Sequence, residues 1–519
     1  MSRAAARNSA KPPPDHRKAS AVLFDRIIRN GTLIAGDGSP RLRADIATDG
    51  DTIAAIGDLT AARGREEIDA RGMIVAPGFI DVHTHDDSAL LSPDGMDAKI
   101  SQGVTTVIAG NCGVSVAPLL LDTTPPPPFT LVGSRENFRF DTFADYVAEI
   151  ERLGAATNAA LLLGHTTLRQ RVMPTTDRPA NAEETEAMCR LAEEAMGQGA
   201  FGLSSGLDYP PAVNSSTAEV KALAATVARL GGPYVTHTRN YFEKLEEAIE
   251  EAIDIAETAG SKLVISHHQC TGRPNFGKAA PTLGRVDEAR GTIDIGMDVY
   301  PYNASSTVLR LERCDTGIRI LVTWSDPFPE MGGREIADIA REWRCTEREA
   351  GERLLPAGAV YFQLDEEDVR TILRHPRTMV GSDGLPHDIH PHPRLWGTFP
   401  RVLGHYARDE KLFSLEEAVF RMTGLPAREF GFHRRGVLAV GNHADLVVFD
   451  PDAVIDRATF ENPRQPSAGI EHVLVNGVSV WREGRGTGAR PGGVLRPTET
   501  SAGLRLARCG CAPSGYSAS

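Results

Sequence analysis

Between residues 78 and 434, short strand-like runs alternate with longer Ala/Glu-rich, helix-like segments. No other feature of the sequence constrains the fold as strongly. The strand-like runs lie at 79–85, 105–112, 159–168, 200–207, 234–238, 262–268, 294–302 and 378–384. Segments such as 182–198, 217–230 and 244–259 separate them. Runs of strand length divided by segments of helix length build parallel βαβ units. Eight such units predict an α/β fold closed into a (β/α)8, or TIM, barrel over 78–434. The interval of about 304–375 is too long for one βα connection and predicts a subdomain inserted after strand 7. Four consecutive prolines at 125–128 predict a stiff stretch in the loop after strand 2.

The flanks have a different texture. Residues 22–77 alternate short apolar runs with Gly and Asp turns, as in Thr52-Ile-Ala-Ala-Ile56. The same texture returns in Ala444-Asp-Leu-Val-Val-Phe-Asp450 and in His472-Val-Leu-Val-Asn-Gly-Val-Ser-Val480, whose Asn-Gly pair is a hairpin signal. One small β-sandwich built from 22–77 plus 435–489 accounts for both. Residues 1–21 and 490–519 read as disordered tails, with Cys509-Gly-Cys511 inert in the second.

Charge and cysteine usage narrow the function. The 56 Lys and Arg against 69 Asp and Glu give a net charge of −13. Nucleic acid and anionic membrane surfaces both call for a basic field, so neither is an expected partner. No apolar stretch approaches the roughly 20 residues of a membrane span, and 1–21 lacks the apolar region of a secretory signal. Seven scattered cysteines do not form a disulfide framework, which points to a reducing, cytoplasmic setting. Oligomeric state stays open.

Chemistry gathers at the strand ends, which in such a barrel meet at one mouth. Strand 1 ends in His83-Thr-His85, and alternation puts both imidazoles on one face. Strand 2 ends at Cys112, strand 5 at His237, strand 6 at His267 and strand 8 at Asp383. His268 falls on the opposite face from His267. Any one of these has an ordinary reading. A histidine at a strand end is usually a hydrogen-bonding residue, and a buried cysteine a small hydrophobe. Their coincidence at one mouth favours a metal site, and imidazole with thiolate and carboxylate suits zinc over magnesium or calcium. Zinc brings the pKa of a bound water to about 7, and a neighbouring carboxylate can take and return the proton.

The motifs resemble a known family. Ala76-Pro-Gly-Phe-Ile-Asp-Val-His-Thr-His85 resembles the first-strand signature of the amidohydrolase superfamily. Lys99-Ile-Ser-Gln-Gly-Val-Thr-Thr-Val107, Gly110-Asn-Cys-Gly113, Gly202-Leu-Ser-Ser-Gly-Leu207, Ser266-His-His268 and Tyr300-Pro-Tyr302 resemble the N-acyl-D-amino-acid deacylases, or D-aminoacylases. So do Gly381-Ser-Asp-Gly-Leu-Pro-His-Asp388 and His392-Pro-Arg-Leu-Trp-Gly-Thr-Phe-Pro400. The resemblance runs over about 22–490. It implies a zinc hydrolase that splits N-acyl-D-amino acids, small-molecule substrates, into a carboxylate and a free D-amino acid. It implies one tightly bound zinc on Cys112, His237 and His267, and a second, weaker position on His83, His85 and Asp383. Asp383 is also the implied catalytic base and acid. The strand-4 end, Phe201-Gly-Leu-Ser-Ser-Gly206, lacks the lysine that bridges two metals in many relatives, and the resemblance implies that Cys112 supplies the bridging or ligating atom instead. Arg394, just past strand 8, is the candidate clamp for the substrate carboxylate, and Tyr300 can donate a hydroxyl; both match substrate-contacting positions, and Ser306 is a further candidate. Gln269 stands where the family usually has lysine, which implies a weaker hold on the substrate carboxylate or a different substrate. The competing readings are cyclic-amide hydrolysis of the hydantoin or dihydropyrimidine type, and a non-catalytic scaffold of the same fold.

Overall fold

The computed structural model describes residues 22–497. Eight parallel strands form the barrel: β1 Phe79–Asp81, β2 Val104–Ala109, β3 Asn158–Gly164, β4 Gly202–Gly206, β5 Tyr234–His237, β6 Leu263–Ile265, β7 Ile295–Val299 and β8 Thr378–Val380. They pair in chain order from β1 to β8. The barrel closes through a Thr84–Gly384 bridge, beside which Asp383 N–H donates to the His83 carbonyl at 2.8 Å. Every residue of β2, β3, β4 and β7 is buried. Strands covered on both faces need no polar side, which is why Ala159–Leu163 in β3 runs apolar without alternation.

Helices wrap the barrel, and their ends follow local chemistry. Phe143–Leu153 begins at a capping box between Thr142 and Asp145. Leu245–Ala259 turns Ile249, Ala252, Ile253 and Ala256 inward and stops at Gly260, which takes the left-handed conformation.

Both chain ends supply strands to two sheets beside the barrel. Leu23–Arg29, Asp45–Asp49, Thr52–Gly57 and Arg63–Asp69 form one. In the other, Ile74–Pro77 pairs antiparallel with Leu446–Phe449, in register Val75–Val448 and Ala76–Val447. Ile28, Ile46, Ile53, Val75, Leu446 and Leu474 form their shared core. The hairpin between Ile470–Val475 and Val478–Arg482 turns at Asn476 and Gly477, both at positive φ (48° and 77°), the geometry an Asn-Gly pair favours.

The stretch after β7 folds as a three-stranded antiparallel sheet of Ser305–Val308, Ala357–Tyr361 and Ile320–Ser325, with helices Ile336–Trp343 and Glu347–Leu354 on its own core. The expected span of about 304–375 also takes in Glu366–Arg374. That helix packs on Ala279–Ala289 and β8, so it belongs to the barrel wall.

Two expectations need correction. The run 159–168 is not strand throughout: β3 ends at Gly164, and His165–Val172 is helical. A side chain at Gly164 would meet the Gly113 carbonyl at 2.4 Å, so glycine there serves close approach of the β2 loop. The expected disordered tail from 490 is ordered as far as 497. β4 pairs with β3 only from Leu162 onward, and Val494–Leu495 fill the free edge at Ala159 and Ala160. The expected tail at 1–21, and residues 498–519 with Cys509 and Cys511, lie outside the described residues. Among the described residues no helix is long and apolar enough to cross a membrane.

Candidate active site

The strand ends bring six of the expected side chains together. His83 Nε2 lies 3.3 Å from Cys112 Sγ, and His267 Nε2 lies 3.5 Å from the same sulfur. His237 Nδ1 is 3.0 Å from His267 Nε2. Asp383 Oδ1 is 3.2 Å from His85 Nε2 and 3.5 Å from His83 Nε2. The donor atoms fall into two groups, His83–His85–Cys112–Asp383 and Cys112–His237–His267, each within 4.8 Å. Cys112 belongs to both.

The donors fit a metal ion. Nitrogen and sulfur ligands at about 2.0 and 2.3 Å around one tetrahedral zinc lie roughly 3.3–3.7 Å apart. The spacings here are 3.0–3.5 Å. Buried lone-pair donors turned toward one another repel unless a proton or cation lies among them. Burial opposes ionisation of Cys112, but the imidazoles of His83, His267 and His237 bring its pKa well below the ordinary thiol value. Burial likewise opposes charge on Asp383, yet Arg394, His85 and His83 hold its carboxyl well below the usual range.

The backbone is bent to build this arrangement. Cys112, His267 and Asp383 have φ of 52°, 32° and 50°, a region that non-glycine residues avoid and that concentrates at functional sites. Gly206, at the β4 end, would place a Cβ 2.1 Å from the Cys112 carbonyl. No lysine can stand there while Cys112 keeps its place. Asp298 on β7 steadies two of these histidines: its Oδ1 accepts the His267 backbone N–H at 2.9 Å and lies 3.5 Å from His83 Nδ1. His268 turns away, with Nε2 2.9 Å from Thr282 Oγ1.

A pocket opens beside His237, His267 and Asp383. Tyr209, Gln269, Tyr300, Ser306, Arg310 and Arg313 line it. Tyr300 donates its hydroxyl to Gln269 Oε1 at 2.7 Å, and the buried Ser306 hydroxyl has no hydrogen-bond partner among the described residues. Arg394 sits differently from its expected place as a free carboxylate clamp. It is fully buried, pairs through Nη2 with Asp383 Oδ2 at 2.9 Å, and lies over the Tyr300 ring at 4.5 Å. Among the described residues its Nε and Nη1 have no hydrogen-bond partner.

The sequence reading passed over several residues. Arg310 pairs with Asp208 at 2.7 Å and so ties the inserted subdomain to the β4 loop. Arg313 stacks 3.4 Å over the Phe242 ring centroid. Both lie in the long insertion, where strand periodicity gives no guidance. Asp298 carried a usable signal, an aspartate in the middle of a buried parallel strand.

The amidohydrolase family matches residues 66–302 and 347–481. A D-aminoacylase from Alcaligenes xylosoxydans xylosoxydans is 50% identical over 475 residues, covering 92% of this chain and 98% of that protein. An N-acyl-D-aspartate deacylase from the same organism is 47% identical, covering 91% of this chain and 95% of its own length. The crystal structure of N-acyl-D-glutamate deacylase from Bordetella bronchiseptica, complexed with zinc and a phosphonate inhibitor, superposes with a TM-score of 0.89 at 46% identity, covering 91% of this chain and all of that one. With its barrel, its cysteine shared between two donor groups and these relatives, the chain belongs to the amidohydrolase family, in the D-aminoacylase branch.

Proposed function

We propose that this chain is a zinc hydrolase that cleaves the amide bond of N-acyl-D-amino acids, releasing a carboxylate and a free D-amino acid. The observation that carries the reading is Cys112 shared between two donor groups, with Asp383 at the edge of the same cavity. His237, His267 and Cys112 would hold the tightly bound zinc; His83, His85 and Asp383 would form the weaker position. When bound, zinc acts as a Lewis acid toward the amide carbonyl and makes water a nucleophile at neutral pH. Asp383 takes the proton of the attacking water on Oδ1 and returns it to the departing amine. Arg394 holds the far oxygen, Oδ2, and so fixes the carboxylate plane. The Ser306 hydroxyl and the Gln269 amide face the pocket as donors for the substrate carboxylate. Gln269 carries no charge, so this hold is about 1–2 kcal/mol weaker than an ionic hydrogen bond.

The pocket favours an acidic side chain on the substrate. Arg313 lines it, and no ion pair or side-chain hydrogen bond of Arg313 occurs among the described residues. Burial and the nearby Arg310 cation hold its pKa below the ordinary guanidinium value, against the opposing pull of Glu312 and Asp208. A carboxylate from D-glutamate or D-aspartate would supply the ion-pair partner that Arg313 does not have among the described residues. Arg313→Leu is therefore expected to lower kcat/KM for the N-acetyl derivative of the preferred acidic residue about 30-fold, from a charged hydrogen bond of roughly 2 kcal/mol. N-acetyl-D-methionine should change less than threefold. Comparable losses on both would remove the acidic preference and leave Arg313 as a wall residue.

A further inference from the structure

Lys99 is fully buried, one helical step before β2. Its ammonium donates to Asp81 Oδ2 at 2.8 Å and to Ser382 Oγ at 2.7 Å, and it lies 3.3 Å from Asp86 Oδ2. Asp81 spans the same place with its other oxygen, accepting the Ser382 N–H at 2.8 Å and lying 3.4 Å from the His83 nitrogen. Ser382 Oγ also accepts the Gly384 N–H at 3.2 Å. These contacts sit where β1 meets β8. That seam has a single backbone bridge, Thr84–Gly384, in place of a ladder. Two of the residues that flank it, His83 and Asp383, belong to one donor group.

We propose that Lys99 is a positioning residue of the hydrolytic site, a buried clasp that acts through Asp81 and Ser382 to hold Asp383 and His83 in register across the barrel seam. Asp383 adopts φ of 50°, a conformation that a non-glycine residue keeps only when its neighbours impose it. The neighbours that impose it are the two residues on either side, and Lys99 reaches both through the Ser382 hydroxyl. Once the clasp is gone, the seam keeps the Thr84–Gly384 bridge and the bond from Asp383 N–H to the His83 carbonyl in place of a full ladder. A misplacement near 1 Å at a reacting group costs about 100-fold in rate. No hydrogen bond or ion pair joins Lys99 to the four donors among the described residues, so it acts on the site through Asp81 and Ser382, and through Asp86 beside His85.

The inference about rate rests on the deacylase reading, so the test pairs kcat with a measurement that needs no substrate. Ser382→Ala removes one contact of the clasp and leaves every charge in place. Lys99→Met removes the cation. In stepwise cobalt titrations followed by the thiolate-to-cobalt absorption, the first equivalent should bind both variants as it binds the parent. The second equivalent should bind at least 10-fold more weakly. On the best N-acyl-D-amino acid, kcat should fall about 10-fold in Ser382→Ala and about 100-fold in Lys99→Met, with KM within twofold. Lys99→Met can fail to fold, because Asp81 and Asp86 lose their cation; Ser382→Ala then decides alone. A folded Ser382→Ala protein with the parent's second cobalt affinity and kcat would overturn the proposal. Equal loss of both cobalt equivalents would also overturn it, since that marks general loosening. A parent protein that hydrolyses no N-acyl-D-amino acid removes the deacylase reading, while the cobalt titration still decides the role of Lys99.

Discussion

Asp383→Asn is expected to lower kcat about 1,000-fold, within the 100- to 10,000-fold range of a positioned acid-base group, and to leave the first metal in place. Asp383 is not a member of the Cys112–His237–His267 group, so that group keeps its three donors. The amide nearly preserves shape and still accepts from Arg394, whose Nη2 contacts Oδ2 at 2.9 Å. What it loses is the capacity to take a proton. KM should stay within threefold, because the Ser306 and Gln269 contacts to substrate are untouched. Steady-state kinetics with metal analysis on the same preparation checks this. A fall in kcat below 10-fold would move the base elsewhere, and loss of the first metal would make Asp383 a ligand of the tight position.

Cys112→Ala should have the largest effect on metal content. Its sulfur lies 3.3 Å from His83 Nε2 and 3.5 Å from His267 Nε2, so one substitution removes a donor from both groups. Changes in outer-shell partners alone weaken metal binding by about 10- to 100-fold. Loss of the shared thiolate is expected to exceed that, leaving less than a tenth of an equivalent after dialysis and activity down by more than 1,000-fold. His85→Ala is the matched control. His85 belongs only to the group with Asp383, so one metal equivalent should remain. Metal analysis by atomic absorption on dialysed protein separates the two outcomes. Retention of a full equivalent in Cys112→Ala would break the assignment of the cysteine as a shared ligand.

Much of this site was legible before any coordinates. The barrel was readable because eight runs of strand length, such as β3, recur between helix-length segments, and strand ends in a barrel converge by construction. His83 and His85 could be put on one face by the period of a strand, and the same argument turned His268 away. Other features depend on contacts between distant segments, and sequence spacing does not encode those. Arg394 looked like a free clamp from its place after β8, yet its guanidinium is buried against Asp383 and Tyr300. Arg313 lies in an insertion whose packing on the β4 loop follows from Arg310 and Asp208 meeting across 102 positions, a pairing with no local pattern. Val494 and Leu495 are two apolar residues in a Gly- and Arg-rich stretch, and they became a strand because β3 left an edge uncovered. The positive φ of Cys112, His267 and Asp383 is also invisible in composition, since glycine is the usual mark of such a conformation. Lys99 carried a faint signal, a lone cation in a motif that lies otherwise within the barrel wall.

The most direct test of the central claim is the release of free amino acid from paired N-acetyl-D- and N-acetyl-L-amino acids, namely glutamate, aspartate and methionine, with zinc quantified on the same sample. Release from the D isomers alone, fastest on an acidic side chain and with at least one zinc per chain, is the predicted result. A folded, zinc-loaded protein that releases nothing from any D isomer, or that cleaves the L isomers equally well, would contradict it.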